Sequence, residues 1–168
     1  MEINIPQWNM VTGLFIEAAC KAQSNPNPNK TAGFLTIGID NFSERHIIQI
    51  GNPATDKLDK YLRLSQEKAY RLYADWLRDP INTFSSWQSR QPEIDRWGGA
   101  VLFAPSGYSR QSPSCDIVSF SGLPEIVDES ISMRLGLHFG LSSDISEFVD
   151  RVTRISGNKV FREMYDVR

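Results

Sequence analysis

Residues 97–140 read WGGAVLFAPSGYSRQSPSCDIVSFSGLPEIVDESISMRLGLHFG. Two short apolar runs, 99–104 and 115–120, predict two strands joined by a long polar loop. The second run stops at Ser121-Gly122, where Gly122 is expected to take a backbone conformation that a Cβ resists. A helix over 124–139 follows. Pro124 suits its first position, where a missing N–H costs nothing, and Gly140 suits its stop. Glu125, Asp128 and Glu129 fall near the positive end of the helix dipole. Two readings of this turn follow. In one, the acids only complement the dipole. In the other, Ser121-Gly122 is a ligand site whose acids favour a cation, an amine or a hydrogen-bond donor over phosphate.

The flanking segments extend the pattern. Trp8, Val11, Leu14, Phe15, Ala18, Ala19 and Ala22 recur at steps of three and four, which predicts a helix over 8–23. The run SNPNPNK then breaks it. Residues 31–40 and 46–50 read as strands, with a turn at Asp40-Asn41 between them. A second helix is expected over 58–77, ended by Asp79-Pro80. Short irregular turns are expected over 80–97. After Gly140, an apolar stripe of Ile145, Phe148, Val149, Val152 and Ile155 predicts a fourth helix, and residues 160–165 a further short one. The strands come in adjacent pairs without βαβ alternation. This predicts an α+β fold, an antiparallel sheet covered by helices.

Composition narrows the function classes. The chain has 168 residues, one domain's worth, with 40% hydrophobic and 23% charged residues. A net charge of −2, with the basic residues dispersed, argues against a nucleic-acid partner. No apolar stretch approaches the ~20 residues of a membrane span, and MEINIPQWNM has no signal-peptide pattern. The expectation is a cytoplasmic protein that keeps off membranes, with Cys20 and Cys115 reduced.

Lys68-Ala69 in SQEKAYRL, Gly98-Gly99, VSFSG over 118–122 and Asp128-Glu129 occur in that order. In these motifs the chain resembles the haem-binding HbpS-like domain family, also called GlcG-like. The resemblance covers most of residues 8–140. It implies a profilin-like fold, assembly as dimers or larger rings, and binding of haem or a corrinoid-related ligand. Residues 1–168 are then a single such domain, with 141–168 a C-terminal helical extension.

The candidate ligand site collects Gly98, Gly99, Ser121, Gly122, Glu125, Asp128 and Glu129, with Lys68 as a facing cation and Trp97 as an aromatic wall. Trp87 is a second aromatic candidate, while Trp8 and Trp76 fall on core faces. A haem ligand must be His, Cys, Met or Tyr. His46, at a strand end, comes first, ahead of His138 and Cys20. No Gly-x-Ser-x-Gly, no metal-binding spacing and no nucleophile–base pair is visible, so no catalytic residue is named. Asp128 and Glu129 are adjacent on a helix and point about 100° apart. Trp87, Trp97 and Phe103, read as exposed aromatics, favour a homo-oligomer. The expected function is a small-ligand-binding or assembly domain that takes haem or a related tetrapyrrole. The alternatives are a small enzyme that processes a tetrapyrrole and a structural interaction module without a small ligand.

Overall fold

The computed structural model describes residues 3–21, 31–104, 114–142 and 145–162. Its elements are α1 (Ile5–Lys21), β1 (Gly33–Ile39), β2 (Glu44–Ile50), α2 (Leu58–Arg78), β3 (Ala100–Phe103), β4 (Asp116–Ser121), α3 (Glu125–His138) and α4 (Ile145–Ser156). The predicted long loop of residues 105–113 and the SNPNPNK run lie outside the described residues, as does most of the predicted 160–165 helix beyond residues 160–162.

The protein is α+β, with one antiparallel sheet of strand order β2-β1-β4-β3. Two hairpins meet through β1 and β4, in the register Leu35↔Phe120 and Ile37↔Val118. All seven residues of β1 are buried, because helices cover both of its faces. That explains its continuous apolar run. β2 is an edge strand and alternates between exposed and buried positions near its end. The β1–β2 turn needs three successive left-handed residues, Asp40, Asn41 and Phe42 (φ 45°, 58° and 62°). Asn41 ties this turn to the second hairpin: its N–H donates to Cys115 O, and its Oδ1 accepts from Cys115 N.

The sheet separates two apolar layers. On one side α2 sets Ala69, Leu72 and Trp76 against Ala100, Leu102, Cys115 and Ile117. On the other, α1, α3 and α4 enclose Leu35, Ile37, Ile48, Val101, Phe103, Val118 and Phe120. The two predicted helices over 8–23 and 58–77 thus lie on opposite faces. Trp8 stacks on Phe139 at 4.0 Å and Trp76 is buried, as the core-face reading expects. α3 is buried on nearly every side, so it carries small residues. A Cβ on Gly136 would meet the Phe103 ring at 2.0 Å. Val149, Val152 and Phe161, beyond Gly140, join this same core.

Phe103 corrects one expectation. It is 0% exposed and stacks on Phe148 at 4.7 Å, because β3 presents it to the α3–α4 layer. It offers nothing to an oligomer interface. Among the described residues, no helix is long and apolar enough to cross a membrane.

Candidate binding cleft

β4 ends under the middle of α2, and this placement builds the site. The Lys68 ammonium reaches across to donate to Phe120 O at 2.5 Å and to Asp128 Oδ2 at 3.0 Å. Asp128 Oδ1 accepts from the backbone N–H of Leu123 at 3.0 Å, so its carboxylate clasps the strand-to-helix turn. Lys68 is 1% exposed and Asp128 is buried as well. Burial pushes the Asp128 carboxyl up to about 6, against the pull of Lys68 and the Leu123 N–H. A buried ion pair seldom adds net stability over apolar packing of the same volume.

Glycines let this region close. Gly99 sits at φ +116°, and a Cβ there would meet Asp128 Cβ at 2.8 Å and Lys68 Nζ at 3.0 Å. Gly122 is not among the glycines with positive φ, which corrects the sequence expectation. Its requirement is space: a Cβ would stand 2.3 Å from Ala32 O and 2.8 Å from Gly33 Cα. Pro124 serves as the N-cap residue of α3, one position before the expected first turn. Ser132 completes the frame, accepting from Phe120 N at 3.0 Å and donating to Gly99 O at 2.8 Å.

A cavity of about 210 Å³ opens above this frame. Lys60, Tyr61, Leu64 and Lys68 line it from α2, and Trp97 from the segment before β3. Ser121, Gly122, Leu123, Pro124, Glu125 and Asp128 line it from the turn. Ser121 is 3% exposed, and no hydrogen bond reaches its hydroxyl among the described residues. The lining acids are already engaged. Asp128 holds Lys68, and Glu125 holds Arg90 at 2.7 Å. Their engagement removes the cation preference that the sequence suggested. Lys60 forms no contact ion pair among the described residues, though its charge helps to lower the nearby Asp95 carboxyl, which Arg63 holds.

The aromatic wall is anchored from below. Arg71, buried in α2, donates to Ser86 O (2.9 Å), Ser89 Oγ (2.6 Å) and Trp97 O (2.6 Å), and also pairs with Glu67. The Trp97 indole N–H donates to Asp95 at 2.6 Å. Arg90 lies over both Trp87 (5.1 Å) and Trp97 (5.8 Å). Gly98 leaves room for the Trp87 ring, 2.5 Å from where a Cβ would stand.

The structure thus brings Lys68, Trp97, Ser121, Gly122, Glu125 and Asp128 together around one cavity, with Gly98 and Gly99 supporting it. Glu129 turns elsewhere. It is 0% exposed, accepts from Ser85 Oγ (2.7 Å) and Asn158 Nδ2 (3.0 Å), and burial raises its carboxyl. The haem-ligand candidates lie outside the cleft. His46 lies on edge strand β2, its Nε2 3.7 Å from a Glu44 carboxylate oxygen. His138 meets Phe15 and Phe139 edge-on at the end of α3. Cys20 is half-buried in α1. Lys60, Tyr61, Leu64 and Arg71 went unmarked in the sequence. The signal available was their spacing from Lys68, which puts 60, 61, 64, 68 and 71 on neighbouring faces of one helix.

Larger depressions lie elsewhere among the described residues, such as one of about 280 Å³ beside Phe84, Leu102 and Phe148, and one of about 680 Å³ along Asp150, Arg154 and Arg162. Neither contains the buried ion pair. Compared with family profiles, with curated proteins and with solved structures, the chain matches none.

Proposed function

We propose that this chain is a small-ligand-binding domain, with its site in the cleft between α2 and the β4–α3 turn. The observation that carries this reading is the Ser121 side chain, 3% exposed, which lines the cavity and whose hydroxyl bonds no other described group. A hydroxyl on a cavity wall with no bond inside the protein keeps its donor and acceptor sites for a group that enters the cavity. The adjacent buried Lys68–Asp128 pair points the same way, since such pairs are weak devices for stability alone. No hydrogen bond joins Ser121 to a basic group among the described residues, so a nucleophile–base pair is not assembled there.

The tetrapyrrole readings, binding or processing, draw less support. The cleft falls below the ~300–1,000 Å³ usual for drug-sized ligands. His46, His138 and Cys20 do not line it, and of the haem-ligating types its described lining holds only Tyr61. The HbpS-like resemblance and its profilin-like fold stay within this proposal as the family reading. A homo-oligomer now rests on Met10 and Leu14, 60% and 54% exposed and one turn apart on α1.

A fragment-library titration followed by amide chemical shifts tests the proposal. Shifts confined to residues 60–68, 97 and 121–128 support it. A silent cleft, together with a haemin Soret band that His46→Ala abolishes, moves the function to the tetrapyrrole reading.

A further inference from the structure

The groups that face the cleft differ in what they still offer. Lys68 Nζ has three N–H bonds, and two are spent on Phe120 O and Asp128. The third, and the Ser121 O–H, are donors without a described acceptor. The acceptors are taken: both Asp128 oxygens are bonded and Glu125 is held by Arg90. The Trp97 N–H is spent on Asp95 and Arg90 lies over its ring, so what Trp97 adds to the cavity lining is the remaining apolar ring surface. Lys60, at the mouth, adds a positive charge.

A site of spare donors, one positive charge and aromatic walls asks for an acceptor-rich anionic group on a flat apolar body. The volume sets the size. A cavity of about 150 Å³ holds benzene, so about 210 Å³ holds one ring with a small substituent. From this, and resting on the binding reading above, we infer that the cleft takes a small planar monocarboxylic acid, its carboxylate at Ser121 and Lys68 and its ring between Tyr61 and Trp97. Phosphate fits less well, because it brings no apolar body to those walls and carries a second charge that only Lys60 faces.

Four probes of matched or reduced shape separate the outcomes: benzoate, benzamide, benzylamine and inorganic phosphate. Each is titrated into the full chain at pH 7.5, read by Trp fluorescence and by the amide shifts of Gly122, Leu123 and Glu125. Benzoate is expected to saturate these signals at the lowest concentration, with benzylamine silent. Ser121→Ala and Lys60→Ala are each expected to weaken benzoate about 3- to 10-fold, the range of one lost hydrogen bond, with an unchanged melting temperature. Benzamide, benzylamine or phosphate binding as tightly as benzoate overturns the carboxylate inference and leaves the binding site standing. Unaltered benzoate affinity in Ser121→Ala also overturns it. Cleft amides that respond to none of the four, while the fragment library does shift them, reject this ligand class alone. Silence to both rejects the site.

Discussion

Lys68 Nζ stands 3.0 Å from Asp128 Oδ2, 60 residues away in the chain, and the two side chains join α2 to α3 out of reach of water. Breaking this pair from one side strands a charge in the interior. Lys68→Met and Asp128→Leu are each expected to cost about 3–5 kcal/mol. The double variant is expected to cost less than either, because no charge is left behind. Urea unfolding of the four proteins gives the coupling directly, and simple additivity of the two losses contradicts it.

Asp128 titrates near 6 in the fold against 3.8 when unfolded. Burial raises Glu129 and Asp116 too. Across that window the folded state holds more protons than the unfolded one, so stability rises as pH falls from about 6 toward 4. Below 3.8 the trend reverses, because the lowered carboxyls of Asp79 and Asp95 lose their native hydrogen bonds. Calorimetric melts should therefore peak near pH 4–5 and not at pH 7. A melting temperature that declines steadily from pH 7 to pH 5 contradicts the assignment.

Two glycines should respond oppositely to alanine. Gly122→Ala drives a methyl group into the Ala32 carbonyl and Gly33 Cα, backbone atoms that cannot turn aside, with an expected loss of at least about 1–3 kcal/mol. Gly13 lies inside α1 with nothing within 4 Å of the added atom. Gly13→Ala is expected to gain up to about 1 kcal/mol from helix propensity. Parallel chemical denaturation of both variants reads the two signs.

Arg71→Lys tests the support of the aromatic wall. Lysine cannot span Ser86 O, Ser89 Oγ, Trp97 O and Glu67 at once. The expected cost is on the order of 2–3 kcal/mol. Faster cleavage between residues 85 and 97 in limited proteolysis would locate the loosening. Equal stability and equal cleavage would show the wall to be held by other contacts.

Much of the architecture was legible along the chain. Apolar periods of two and of three to four are local properties, so the four strands and four helices emerge within a few residues of their observed ends. Ser121-Gly122 also marked the right place, since a strand that turns at once into a helix needs a small residue. The reason it needs one was not legible. Gly122 has an ordinary φ, and its constraint is the approach of Ala32, some ninety residues earlier in the chain.

The candidate site divides along the same line. Lys68, Ser121 and Asp128 could be marked singly, but adjacent acids on one helix look alike in sequence. The packing of α3 sends Asp128 to Lys68 and the cleft, and Glu129 to Ser85 and Asn158 on another side. Phe103 likewise reads the same whether exposed or buried, until α4 closes over it. The sequence by itself determined the α+β class, the two hairpins and the place of the β4–α3 turn, because these depend on neighbours within a few residues. The tertiary structure alone decided which acids are neutralised and which hydroxyl lines the cleft. Those depend on charges brought together from distant segments, and their cost or gain arises only once water has been excluded.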